Sequence, residues 1–206
     1  MDFNELFIRL KKRFPDAGYS NPRDPFSVLI STIISQRTRD EQTHVAAQAL
    51  LSAYPTARNL ATAEIKDIEK LIKSAGFYHV KARKVREVSR IILKEYNGSI
   101  PDDYESLIRL PSVGQKTANC VLVFGFGKEA IPVDTHVHRI SNRLGIIDTK
   151  TPEESEQALR KILPEKYWLD INHLFVQFGR NICRPIGPRC AKCPVFDLCS
   201  WEGRFK

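Results

Sequence analysis

Four cysteines lie close together in one short segment of the chain, and thiolates in this number can hold a metal centre. The segment contains Cys183, Cys190, Cys193 and Cys199, spaced C-x6-C-x2-C-x5-C. Four thiolates complete the coordination of a tetrahedral zinc ion or of a cubane iron–sulfur cluster. Zinc sites usually contain two C-x2-C pairs, and only Cys190 and Cys193 form such a pair here. The spacing leaves both metals open but departs from the usual zinc pattern.

Disulfide bonds are a third use for four cysteines, and they require an oxidising compartment. The first residues, Met-Asp-Phe-Asn-Glu-Leu, contain neither the basic region nor the apolar run of a signal peptide. We therefore expect a cytoplasmic protein in a reducing compartment. The fifth cysteine, Cys120, lies in an apolar stretch and is expected to be a small core residue.

The chain is basic, with a formal net charge of +8 over 206 residues. Such a charge favours a polyanionic partner, of which DNA is the first candidate, although a solvated surface charge without a partner is the alternative. No run of residues approaches the about 18 apolar positions of a membrane span. We therefore expect no membrane association.

Apolar residues recur at helical spacing almost throughout, and no segment alternates as a strand does, so the predicted fold class is all-α. Helix boundaries are predicted from cap residues, with helices beginning after Thr38, Thr62, Asp134 and Thr151. Glycines at 76, 145 and 179 are predicted to follow helix ends. A basic helix is predicted from Val80 to Tyr96, and another helix begins near Gln115.

The segment from Leu110 to Ala118, L-P-S-V-G-Q-K-T-A, breaks the helical pattern with a Pro-Gly turn. Two helices joined by such a turn can bind a DNA phosphate, because backbone N–H groups and the positive end of the second helix point outward. Such contacts carry no sequence information and position the protein on the duplex. An ordinary corner between two helices is the alternative.

After this hairpin comes the segment I-P-V-D-T-H-V-H-R from Ile131 to Arg139. Together the two segments are similar to the HhH-GPD superfamily, and the cysteine spacing resembles the single iron–sulfur loop of the endonuclease III family within it. The resemblance covers roughly residues 20 to 200. One departure is visible, because Ser112 stands where the family's hairpin often has its first glycine.

The resemblance implies two helical lobes that flank a DNA-binding cleft. Residues 18–131 would form a six-helix barrel domain that contains the helix–hairpin–helix. Residues 1–17 and 132–206 would form an iron–sulfur domain, in which Cys183, Cys190, Cys193 and Cys199 bind a [4Fe-4S] cluster. We expect the cluster to be structural, since no step of the implied chemistry needs an electron.

The resemblance also implies a catalytic pair. Lys116 would be the nucleophile that attacks the deoxyribose, and Asp134 would stabilise the positive charge on the sugar while capping its own helix. The positive end of a helix near Lys116 disfavours an ammonium and so favours the free amine. His136 would line the base pocket, with a role in folding as the alternative.

Opening the duplex would require side chains that enter it. By resemblance, Gln36 fills the gap left by the flipped base, and Phe77 enters the opposite strand; for Phe77 the alternative is packing back on its own helix. The complete set of expected DNA contacts is Gln36, Phe77, His79, Ser112, Gly114, Thr117 and Arg184. The basic residues Lys81, Arg83, Lys84 and Arg86 are a solvated face, a phosphate track, or part of each.

These features predict a bifunctional DNA glycosylase and AP lyase of base excision repair. It would act as a monomer on double-stranded DNA with oxidised pyrimidines or abasic sites, in association with the nucleoid. One alternative is a mismatch-specific thymine or adenine glycosylase, although such members commonly have serine or tyrosine in place of Lys116, and adenine-specific members usually have a long C-terminal domain. Another is a non-enzymatic helix–hairpin–helix protein that binds DNA, and an electron carrier is disfavoured by the basic charge and the spacing of the cysteines.

Overall fold

The computed structural model of the chain describes residues 1–19 and 21–205, which form eleven α-helices and no strand. The predicted all-α class is therefore confirmed. Within the described residues, no helix combines the length and the apolar character that crossing a membrane requires. The chain divides into two compact units, Asn21–Lys128 (the continuous unit) and Met1–Ser20 with Glu129–Lys206 (the two-segment unit). The division predicted from the sequence, at residues 17 and 131, stays a prediction.

The continuous unit consists of seven helices. They are α2 (Pro25–Ser35), α3 (Asp40–Ala53), α4 (Ala57–Thr62), α5 (Ile65–Leu71), α6 (Tyr78–Glu95), α7 (Tyr104–Arg109) and α8 (Gln115–Phe126). Helix α2 is apolar along most of its length and packs against α3, α6 and α8. Its Ile30, Ile33 and Ile34 are fully buried, and each such side chain contributes about 1.5–3 kcal/mol. Helix α8 approaches α2 closely at Gly125, where a Cβ atom would lie 3.0 Å from the Cα of Pro25.

The two-segment unit brings the N-terminal helix together with the later helices. It contains α1 (Phe3–Arg13), α9 (Thr135–Leu144), α10 (Pro152–Ile162) and α11 (Trp168–Asn181), with 3-10 turns at Pro15–Ala17, Glu165–Tyr167, Cys190–Lys192 and Glu202–Phe205. The aromatic ring of Phe7 in α1 stacks on Tyr167 with a centroid distance of 4.1 Å, and Phe175 of α11 completes this buried aromatic group. The cysteine segment follows α11 and packs against the same core through Cys183, Cys193 and Cys199.

Several predicted helix boundaries are confirmed. Helix α8 begins at Gln115, α9 is capped by the carboxylate of Asp134 and followed by Gly145, and α10 follows Thr151 with Pro152 in its first turn. At these positions the cap residues themselves make the hydrogen bonds that end or begin the helix, so the sequence signal is sufficient.

Other predicted boundaries are wrong. Thr38 does not cap α3, which begins after Arg39, because the Thr38 hydroxyl accepts a hydrogen bond from Lys81 instead. Thr62 is the last residue of α4. Helix α5 ends at Leu71, well before Gly76. Its C-cap is Ile72, whose backbone N–H donates to the Ile68 carbonyl.

Gly179 was expected to follow the last helix but lies inside α11. A Cβ atom at this position would be 2.3 Å from Nδ1 of His136 and 2.8 Å from Nη2 of Arg139. The glycine is therefore required by the close approach of α9 to α11 and not by a helix end. A tertiary contact of this kind cannot be recognised from the residues next to Gly179 in the sequence.

Candidate active site

The predicted helix–hairpin–helix is formed by α7, a turn over residues 110–114, and α8. The turn is closed by the Val113 N–H, which donates to the Leu110 carbonyl at 3.2 Å, while the Val113 side chain is buried. Gly114 is the N-cap of α8, is exposed, and has nothing within 4 Å of the place where a Cβ would be. The first N–H groups of a helix have no acceptor within that helix. The start of α8, where Gly114 is exposed, therefore has the backbone geometry that suits an anion.

Lys116 and Thr117 lie in the first turn of α8. Lys116 is half-buried, at the second position of the helix. Thr117 is only 5 % exposed, which leaves its backbone N–H, at the third position of the helix, as the group that it can offer to a phosphate. The contact of Thr117 with DNA stays a prediction.

Ser112 adopts a left-handed backbone conformation with φ of 68°. This conformation costs a residue with a Cβ roughly 1–2 kcal/mol, whereas glycine adopts it freely. The position does require positive φ, as the comparison with the family's glycine suggested, and the hairpin still forms with serine.

We predict that Ser112→Gly raises the free energy of unfolding by about 0.5–1 kcal/mol, since relief of the backbone strain exceeds the added freedom of glycine in the unfolded chain. Urea unfolding monitored by circular dichroism measures the change. Ser112→Ala is the matched control, because it removes the hydroxyl but keeps the Cβ, and it should give no gain. An equal gain in both variants would trace the effect to the hydroxyl instead of the backbone.

Gln36 and Phe77 lie on two loops of the continuous unit that line one surface pocket together with Arg37 and Val80. The Gln36 side-chain amide donates to the Ser112 carbonyl at 3.0 Å, which ties its loop to the hairpin. Phe77 precedes α6, has φ of 58°, and is 64 % exposed. This exposure favours a ring that is available to DNA over one packed back on its helix, and the contact of Phe77 with DNA stays a prediction.

His79 and the basic residues of α6 differ in their surroundings. The His79 ring lies 2.9 Å from a carboxylate oxygen of Glu69 and remains largely exposed. Lys81 is 4 % exposed, so it belongs neither to a solvated face nor to a phosphate track. Burial, and secondarily the charge of Lys84, lowers the pKa of Lys81 to about 8. A lysine buried in this way could not be distinguished in the sequence from its basic neighbours.

Asp134 and His136 lie at the start of α9 in the two-segment unit. A single carboxylate oxygen of Asp134, Oδ1, accepts from the backbone N–H groups of His136 and Val137, each at 2.8 Å. The side chain of His136 lies against Gly179 of α11 and 3.1 Å from Nη2 of Arg139. The role of His136 in a base pocket stays a prediction.

The four clustered cysteines are free thiols that line one cavity, whereas Cys120 is buried in α8 as predicted for a core residue. Burial first, and then the charges of the other three thiols, raise the pKa of Cys193 to about 11. Four thiolates in this place would therefore need a compensating cationic centre, which iron or zinc provides. Within the described residues, no group of three or more His, Cys, Asp or Glu side chains is arranged as a site for a single ion.

Arginines from α9 hold the cysteine segment in place. Arg143 donates to the carbonyls of Arg184 at 2.7 Å and Pro185 at 3.1 Å, and its Nη1 lies 3.6 Å from the sulfur of Cys183. Arg139 donates to the Cys183 carbonyl at 3.0 Å. The Arg184 side chain donates to the Arg180 carbonyl at 3.2 Å, and its contact with DNA stays a prediction. Cations so close to the sulfurs suit a centre with net negative charge.

The predicted catalytic residues thus belong to different units, with Lys116 at the start of α8 and Asp134 at the start of α9. Each occupies the first turn or the cap of its helix, where the local geometry is fixed by backbone hydrogen bonds. The roles of both residues remain proposals.

Comparisons with known proteins agree on one family. The family model described as HhH-GPD superfamily base excision DNA repair protein matches residues 30–165. Endonuclease III of Thermotoga maritima is 50% identical over 200 residues, which cover 97% of this chain and 93% of that protein. Among solved structures, a trapped covalent intermediate of endonuclease III with DNA, in an estranged-adenine complex, has a TM-score of 0.87 and 35% identity, covering 98% of this chain and 99% of that one.

A thermostable thymine-DNA glycosylase has the same fold at lower identity. Its TM-score is 0.83 with 25% sequence identity, and the match covers 98% of this chain and 94% of that one. The fold is therefore shared across substrate classes, and the identity is higher toward endonuclease III. Given the family model over most of the chain and a relative with half its residues identical, this protein belongs to the endonuclease III family of the HhH-GPD superfamily of base excision DNA repair proteins.

Proposed function

We propose that the chain is a bifunctional DNA glycosylase and AP lyase that excises oxidised pyrimidines and cuts the strand 3′ to the abasic site. The observation that carries the proposal is the position of Lys116, in the first turn of the helix that follows the hairpin. This puts a residue with a primary amine in the same helical turn as the backbone groups that suit a DNA phosphate. A trapped covalent endonuclease III–DNA intermediate among the similar structures supports a covalent step in this chain too.

The reaction proceeds by exchange of bonds at the sugar. The Nζ of Lys116 bonds to C1′, the glycosidic bond breaks, and its electron pair leaves with the base, which takes a proton. The ring opens to a Schiff base between Lys116 and C1′. Loss of a C2′ proton then expels the 3′ phosphate by β-elimination, and water hydrolyses the imine to regenerate the amine.

Asp134 is proposed to act on the same sugar as an anion. Because its Oδ1 caps α9, the carboxylate is held in one orientation by two backbone N–H groups. A fixed negative charge stabilises the positive charge that develops at C1′ as the base departs. We assign Gln36 and Phe77 to the duplex opening, Ser112, Gly114 and Thr117 to phosphate binding, and His79 and Arg184 to flanking DNA contacts.

Borohydride trapping tests the proposed function. The protein should form a covalent complex with duplex DNA that contains an abasic site when the imine is reduced, and it should excise thymine glycol. A duplex with a thymine–guanine mismatch is the competing substrate. Excision of thymine from the mismatch without any trapped complex would favour a mismatch glycosylase, and binding without excision or trapping would favour a non-enzymatic protein.

We propose that Cys183, Cys190, Cys193 and Cys199 bind a [4Fe-4S] cluster, which would cross-link the segment that follows α11. The four free thiols line one cavity and have the guanidinium of Arg143 beside them. We also propose that the chain acts as a monomer on double-stranded DNA in the reducing cytoplasm, where thiols remain available to iron.

Iron analysis tests the cluster. The purified protein should be brown and contain about four irons per chain. Cys199→Ala should lose the iron, whereas Cys120→Ala, which removes a cysteine of the α8 core, should keep it. A colourless protein with one zinc ion, or equal iron loss in both variants, would contradict the assignment.

A further inference from the structure

Lys81 is a lysine buried in the first turns of α6, with 4 % of its surface exposed. Its ammonium donates to the Ile34 carbonyl at 2.6 Å and to the Thr38 hydroxyl at 2.5 Å. Ile34 is in the last turn of α2, and Thr38 is in the loop that connects α2 to α3. One side chain of α6 therefore binds both sides of the loop that carries Gln36.

The hydrogen-bond partners of Lys81 are neutral, which makes its burial costly. Desolvating an ammonium without a carboxylate partner disfavours its charged form, and an apolar side chain of similar length would fill the same space without this cost. The lowered pKa of Lys81 reflects the same desolvation. What the ammonium adds over an apolar residue is a directional link between α6 and the Gln36 loop.

The link joins two loops that are both strained. Arg37 beside Gln36 has φ of 54°, and Phe77 has φ of 58°. The loops also touch through their backbones, because a Cβ at Gly76 would lie 3.2 Å from the Arg37 carbonyl oxygen. Residues in the left-handed region persist only where their surroundings hold them. Lys81 binds the Gln36 loop through its ammonium, and its backbone N–H, one helical turn after Phe77, donates to the Phe77 carbonyl at 3.1 Å.

We propose that Lys81 is a positioning residue for duplex opening, which fixes the Gln36 loop against the Phe77 loop so that both side chains enter the DNA as one rigid element. The inference rests on the proposed function, because it assumes that Gln36 and Phe77 act on the duplex. Lys81 does not touch the reacting atoms. Its loss should therefore affect the opening of paired DNA and spare the chemistry on a sugar that is already accessible.

The test compares two substrates in Lys81→Met. The single-turnover rate of thymine glycol excision from a duplex should fall at least about tenfold, because two loops must act together to extrude the base. Borohydride trapping on a single-stranded abasic oligonucleotide, which has no base pair to open, should stay within about twofold of wild type. Lys94→Met is the matched control. It removes the same charge from an exposed position of α6, about 20 Å away along the helix, and should change neither rate.

A second variant covers the case in which Lys81→Met does not fold, which thermal unfolding would reveal. Thr38→Val keeps the shape of the side chain but removes one acceptor of Lys81, and it should lower duplex excision in the same selective way by a smaller factor. In the double variant, Thr38→Val should add little to Lys81→Met, because both changes break the same link.

The outcomes separate the two claims. Equal losses on both substrates, or no loss on the duplex, would overturn the role of Lys81. Failure of the wild-type protein to trap either substrate would instead overturn the proposed function, whatever the variants do.

Discussion

Replacing Lys116 with alanine is expected to abolish the trapped complex with abasic DNA. The amine is the atom that bonds to C1′ in the proposed reaction, so its removal leaves no group from which the imine can form. Loss of a covalent nucleophile typically costs at least about a thousandfold in rate. Gel electrophoresis after borohydride reduction, with a labelled abasic duplex, measures the effect directly.

Lys116→Arg is the matched variant that separates chemistry from charge. The guanidinium keeps the positive charge beside the hairpin but remains protonated and is not a nucleophile. We expect Lys116→Arg to bind abasic duplex nearly as tightly as wild type and to form no trapped complex. If either variant still traps DNA at the wild-type level, the nucleophile is another amine.

Asp134→Asn is expected to give the second largest effect, a loss of about a hundredfold in base excision with little change in stability. Asparagine caps a helix about as well as aspartate does, so the hydrogen bonds to His136 and Val137 survive. What is lost is the negative charge near the developing sugar cation, and a single electrostatic contact of this kind contributes about 10²–10³ in rate. Excision of thymine glycol under single-turnover conditions, together with thermal unfolding, measures both quantities.

The control for Asp134 is alanine, which removes the cap as well as the charge. Asp134→Ala should lose a further about 1 kcal/mol of unfolding free energy relative to Asp134→Asn. Trapping on a preformed abasic site should fall less than excision in both variants, because no base has to leave. If the Asp134→Asn protein excises the base at the wild-type rate, Asp134 acts only as a helix cap and not in catalysis.

The sequence predicted those parts of the molecule that are governed by local chemistry. The start of α9 at Asp134 and its end before Gly145 followed from a carboxylate cap and a glycine, and α8 followed from the break at Gly114. The four cysteines were found from their spacing and do line one cavity. In each case the deciding interaction lies within a few residues along the chain.

The predictions for Thr38, Gly179 and Lys81 failed for one physical reason, because a residue distant in sequence decided each of them. Thr38 has the features of a cap, but its hydroxyl is bound by Lys81, which lies 43 positions further along. Gly179 has the features of a helix end, but it lies inside α11, where His136 occupies the space that a side chain would need. Lys81 itself was grouped with its basic neighbours, since the charge pattern of a helix does not report which lysine faces the core.

Three of the four non-glycine residues with positive φ in the described part of the chain, Arg37, Phe77 and Ser112, lie on the loops assigned to DNA. Replacing these residues with glycine would make the protein more heat-resistant, since each substitution would remove backbone strain of about 1 kcal/mol or more. The same substitutions would make the loops that enter the DNA duplex more flexible. At these three positions a substitution that raises thermal stability is therefore expected to lower the rate of base excision. Substitutions in the interior of the protein do not have this consequence.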